Sequence, residues 1–191
     1  MVGDGKGRTE LNPAYAIAGD FCQIFAEDMS GLYLLSFLLT ADEQMAEKCF
    51  VSGLEDCVDS NRVFKEWARS WARRAVVRNA INQVHPSPEL SSQTLQTRTP
   101  VSIPLSTLQR APVAAIMSLD SFERFVFIMS VLERYSDQDC RAMLGVSRQE
   151  VATARANAIE KVASYVSGAV PHANLDARQP AGQEAWLAKS A

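Results

Sequence analysis

Residues Asn61 to Asn82 read NRVFKEWARSWARRAVVRNAIN. Between Arg62 and Arg78 this run gathers six Lys and Arg, a single Glu (Glu66) and the pair Trp67 and Trp71, a local balance of +5 in a chain whose net charge is −3. Residue types and spacing together point to polyanion chemistry. Cations along a helix neutralise phosphates, and exposed aromatic rings stack on unpaired bases at about 1–3 kcal/mol each. On a helical period Trp67, Trp71, Arg74 and Arg78 fall at steps of four, three and four and share one side. Arg62, Arg69 and Arg73 project to another, with Asn79 closing the polar set. The bland alternative is a solvated cationic face with both tryptophans in a core.

A second constellation lies in SDQDCRAMLGVSRQEVATARANAIEKVASYV, residues 136–166. Ser136 and Asp139 mark a helix start, and Gly145 after Leu144 marks a stop that needs positive φ. Ser147 with Glu150 forms a capping box that opens a longer helix. A short helix, a glycine-containing turn and a capped second helix make a helix-turn-helix. Ala142, Leu144, Val146 and Val151 are expected to pack the two helices together. Ser147, Arg148, Gln149 and Thr153 would stand exposed near the second helix's start, where polar groups reach base edges and free N–H groups favour phosphate. The alternative is an ordinary αα-corner that touches no nucleic acid.

The chain carries no Gly-rich phosphate loop and no Ser/His/Asp or Cys/His grouping, so an enzyme is not expected. Glu133, Asp137 and Asp139 form a carboxylate cluster that reads more simply as caps and solvated charge. Cys22, Cys49, Cys57 and Cys140 lie far apart with no CxxC pair, and His85 and His172 are isolated. Neither a metal site, a cofactor nor a disulfide framework is expected, and buried free thiols in a reducing cytoplasm are.

The elements that must hold these groups are helices. A 47% hydrophobic and 21% charged composition is that of a globular chain. Its pI of about 5.5 puts any polyanion contact on local clusters rather than on overall charge. The apolar run Leu32 to Leu39 is too short to cross a bilayer, so a cytoplasmic protein with no membrane partner is expected. After a loose leader, residues 13–84 read as a helical domain. Its first helix starts at Asn12-Pro13 and is broken by Ser30-Gly31; a second covers Leu32–Leu39, a third begins at Thr40 or Asp42, and the fourth runs from about Arg62 to Val84. Residues 85–117 are rich in Pro, Ser and Thr and read as a linker, with a short helix near Ser106 to Arg110. Residues 118–167 form the second domain, where Asp120 and Glu123 resemble a capping box and Phe122, Phe125, Val126 and Met129 make an apolar stripe. Residues 168–191 read as a tail with Trp186 as its one docking candidate. The expected fold is all-α: two small helical domains, the second a helix-turn-helix.

The order and spacing of these blocks resemble the bacterial sigma-70 family, specifically its small extracytoplasmic-function sigma factors. LYLLSFLLTADEQMAEKCFVSGLEDC is similar to the first helices of their region 2. FKEWARSWARRAVVRNAI resembles the region 2.3–2.4 helix, with Phe64, Trp67, Ala72 and Arg73 at its characteristic positions. LDSFERFVFIMSVLERYSDQDCRAMLGVSRQEVATARANAIEKV is similar to region 4, with Arg124, Ser136, Leu144-Gly145 and the Ser147 to Val151 recognition-helix pattern. The resemblance covers about Asp20 to Val166.

It implies a factor that directs core RNA polymerase to promoter DNA and melts it, with an anti-sigma factor as a further partner. Trp67, Arg69, Trp71, Arg73, Arg74, Arg78 and Asn79 would hold the −10 strand. Ser147, Arg148, Gln149, Thr153 and Arg155 would read the −35 duplex. Glu43, Glu47 and Lys48 would contact the polymerase clamp. Lys48 and Ser52 depart from the family's acidic, Gln-containing stretch, and Glu150 and Glu160 offset the recognition helix's cations. These departures motivate an alternative: a sigma-like decoy that binds an anti-sigma factor or polymerase without reading DNA. A plain helix-turn-helix repressor is a third reading.

Overall fold

The computed structural model describes residues 14–59, 63–88 and 107–169. The leader, Asn12-Pro13, Arg62, Arg110's side chain and the tail with Trp186 and His172 lie outside them. Described residues are helical, with no strand beyond an isolated bridge between Tyr15 and Phe64.

Eight α-helices follow in order: α1 Ala18–Glu27, α2 Met29–Thr40, α3 Glu43–Val58, α4 Ala68–Val84, α5 Thr107–Met117, α6 Ser121–Phe127, α7 Asp137–Leu144 and α8 Arg148–Ala169. A 3₁₀ turn, Lys65–Trp67, precedes α4, and a π-helical segment, Ile128–Leu132, follows α6.

The first break falls earlier than Ser30-Gly31. α1 ends at Glu27 and α2 begins at Met29, with both residues of the pair inside α2. Gly31 serves close approach rather than a turn: a Cβ there would meet Asp28 Oδ1 at 2.2 Å. α2 is apolar on all sides, and Leu32, Leu35, Phe37, Leu38 and Leu39 are buried, so it runs through the centre of the molecule. Ala41, in the left-handed region, ends it, and Asp42 caps α3 by accepting from Met45 N–H at 2.8 Å.

α3 and α4 meet along small residues. Ala68, Ala72, Ala75 and Ala80 of α4 are buried, and a Cβ on Gly53 would lie 3.0 Å from Val76 Cγ2. His85, at φ 50°, closes α4 with its N–H bonded to Ile81 carbonyl.

The stretch expected to be a linker contains a full helix. α5 extends past Arg110 to Met117 and passes through Pro112, which removes one helical hydrogen bond. Burial of Ala115, Ile116 and Leu119 against the C-terminal helices offsets that loss.

In α6 the Asp120–Glu123 capping box does not form. Asp120 makes no side-chain cap, and both carboxylates turn instead to Lys161 of α8, at 3.6 and 2.6 Å. The helix-turn-helix is as spaced. Ser136 accepts from Asp139 N–H at 3.1 Å, Gly145 sits at φ 69°, and Ser147 and Glu150 cap each other at 2.7 and 3.2 Å. Val151 is buried between the helices, but Ala142 faces out; buried Cys140 takes that place.

One apolar cluster runs through both halves, from Phe21 and Leu32 to Phe125 and Val151. The two helical groups are therefore docked. At the join, buried Arg124 of α6 donates to Leu39 carbonyl at 3.2 and 3.4 Å and to Leu119 carbonyl at 3.1 Å. Leu39 carbonyl belongs to the last turn of α2, where no helical N–H can reach it and a cation is favoured. All four cysteines are free. Cys22 is exposed, and burial pushes Cys49, Cys57 and Cys140 up to about 11, 12 and 11.

Candidate nucleic-acid interface

The expected basic–aromatic helix is two elements. Phe64 keeps an extended backbone, Lys65–Trp67 make the 3₁₀ turn, and the α-helix starts at Ala68. The pairing of Tyr15 with Phe64 causes the break. Ala16 N–H bonds Val63 carbonyl at 2.7 Å and Lys65 N–H bonds Ala14 carbonyl at 3.0 Å, which holds residues 63–65 away from helical geometry.

The pairing also builds a row of rings. Tyr15 stacks on Phe64 at 4.7 Å and 29°, and Phe64 meets Trp67 edge-on at 5.2 Å. All three are solvent-exposed, Trp67 at 59%. Trp67 thus stands clear of the core. Tyr15 was not expected here; it lies 49 residues before Phe64, and only long-range strand-like pairing joins them.

Trp71 differs. It is half-buried against the core, its Nε1 is buried without a hydrogen-bond partner, and Arg78 lies over its ring at 5.9 Å. Tyr15 and Phe64, rather than Trp71, share the exposed row of rings with Trp67.

The arginines of α4 sit where the helical period puts them, but each has an acidic partner in the same chain. Arg69 is bonded to Glu27. Arg73 grips Glu133 through two bonds of 2.7 and 2.6 Å and also reaches Asp28 at 3.2 Å. Arg74 lies 3.5 Å from Asp139 and over the Tyr135 ring at 5.7 Å. Arg78 and Asn79 share Asp56, at 3.6 and 2.9 Å. Donating to Glu133 holds the Arg73 guanidinium above its ordinary value, while burial and Glu133 push Tyr135 up to about 12. Glu133, Asp137 and Asp139 are therefore more than caps.

In the helix-turn-helix Arg148, Gln149 and Thr153 are exposed on the first turns of α8. Ser147 spends its hydroxyl on the cap, and Arg155 is held by Asp137. Three of the five expected −35 residues are thus presented and two are engaged. Glu43, Glu47 and Lys48 are all exposed on α3, the two acids one turn apart and near Tyr33. Among the described residues no three His, Cys, Asp or Glu converge on a metal position, and no helix is long and apolar enough to cross a membrane.

The arrangement offers an exposed three-ring platform continuous with a helix of arginines, and a separate helix start with polar side chains. No protein-family model matches the chain, and no curated protein matches it.

Proposed function

We propose that the chain is a promoter-recognition factor of the sigma-70 type, cytoplasmic and without covalent chemistry of its own. The observation that carries this is the exposed ring row Tyr15, Phe64 and Trp67 leading directly into arginine-bearing α4. Rings with π-faces free to solvent accept any unpaired base, and adjoining guanidinium groups accept the backbone. A second site at Arg148, Gln149 and Thr153 would read duplex DNA, and the exposed α3 face at Glu43, Glu47 and Lys48 would meet core RNA polymerase. The block order described above supports assigning these two contacts to −10 and −35 elements.

The test is co-purification with core RNA polymerase followed by transcription in vitro. Trp67→Ala removes one platform that the fold does not use. It should weaken binding to single-stranded DNA by about tenfold, in line with about 1–3 kcal/mol per stacked base, at an unchanged melting temperature. Unaltered affinity would remove the ring row from the interface.

A second reading has its own observation. The self-paired arginines favour a sigma-like decoy that engages an anti-sigma factor or polymerase and reads no DNA. Such a protein would show no affinity for either DNA form even in complex with polymerase.

A further inference from the structure

We propose, resting on the nucleic-acid reading above, that Glu133 and Asp139 are built-in competitors of nucleic-acid phosphate at Arg73 and Arg74, making the docked chain a self-masked, low-affinity form.

Both carboxylates come from the other half of the fold, 60 and 65 residues away in sequence. Glu133 directly follows the π-helical turn, and Asp139 lies in the first turn of α7. The π-helical turn, with Arg134 at φ 57°, brings Glu133, Tyr135 and Asp139 to the same stretch of α4. A left-handed backbone at a non-glycine residue is uncommon and persists only where surrounding contacts hold it.

The chemistry of the contact is that of phosphate recognition. A guanidinium fork binds a carboxylate or a phosphate through the same two parallel N–H bonds. Glu133 uses both of them on Arg73; its own side chain is only 8% exposed, while that of Arg73 stays 35% exposed and within reach of a competing anion. Tyr135 and Asp139 take the neighbouring Arg74 from two directions. A DNA strand can claim these arginines only by displacing the acids.

Masking is selective. Trp67 and the α8 residues Arg148, Gln149 and Thr153 remain exposed, while Arg73 and Arg74 are held by acids of the far half, Arg73 with Asp28 of its own half as well. Arg69 and Arg78 pair with Glu27 and Asp56 from their own half. The acids of the C-terminal segment therefore govern the two central cations and leave the initial ring contacts untouched.

The experiment measures binding of the full chain to a labelled, mixed-sequence single strand of about 20 nucleotides at about 50 mM salt, where phosphate contacts weigh most. The double variant Glu133→Gln plus Asp139→Asn should bind about tenfold more tightly than the natural chain. Glu55→Gln plus Asp59→Asn, which removes the same charge from exposed sites on and at the end of α3, sets the generic charge effect. A gain no larger than this control overturns the masking while leaving the nucleic-acid reading in place. If neither natural chain nor double variant binds the strand, the nucleic-acid reading falls and the masking with it. Should circular dichroism show the double variant unfolded, Asp139→Asn alone, at a half-exposed site, should still gain about threefold over Asp59→Asn; no gain there overturns the proposal.

Discussion

α4 meets two of the elements packed on it, α3 and the C-terminal half, by opposite means. Towards α3 it presents alanines, and Gly53 lets the backbones close until a Cβ would touch Val76. Towards the C-terminal half it presents charge, with Arg73 on Glu133 and Arg74 on Asp139, while Arg124 ties α6 to the end of α2 nearby. Interdigitated apolar packing has no exchangeable partner in solution. An ion pair at a join can be exchanged for another ion of the same sign. The first contact locks α3 against α4; the second, on the masking proposal, is one that a competing anion displaces.

The largest expected effect comes from Arg124, the charged side chain buried most deeply among the described residues. Arg124→Ala takes a donor from Leu39 carbonyl and opens a hole at the join, so urea unfolding should show a loss of about 3–5 kcal/mol. A loss under about 1 kcal/mol would mean the seam is wetter than it looks. Gly53→Ala probes the apolar contact instead. Val76 must yield by a few tenths of an ångström, and overpacking of this kind costs about 1–3 kcal/mol by the same assay. A neutral result would show that α3 slides easily on α4 and would weaken the contrast between the two neighbours.

The smallest effect is a dependence on acid. Arg155 holds Asp137, and Ser136 holds Asp139, below the ordinary aspartate value of 3.8. Protons therefore bind the unfolded chain first on acidification. The stability these groups contribute is complete above about pH 4 and is lost as pH falls further. Melting temperature should stay level from about pH 7 to 5 and drop below about 4. A profile flat to about pH 3 would show that neither carboxylate matters to the fold.

What could be read in the sequence divides along similar lines. The caps at Ser136 and Ser147 and the left-handed Gly145 were legible because each signal and its partner lie within a few residues. Gly31 misled because a glycine needed for close approach to Asp28 looks the same, in one dimension, as a glycine needed for a turn. α5 was foreseen too short, since Pro112 argues against helix locally and only burial of Ala115 and Ile116 argues for it. At the candidate site the helical period placed Arg69, Arg73, Arg74 and Arg78 correctly. Their acids and the Tyr15–Phe64 stack were invisible because those pairings span 22 to 65 residues.

The thiols carry a practical consequence. Cys49, Cys57 and Cys140 are sealed by packing and reluctant to ionise, whereas Cys22 on α1 looks outward. The natural chain therefore arrives with a single maleimide handle. A dye on it reports from α1, five residues before the Glu27 that binds Arg69, with no engineered cysteine and no native one to delete.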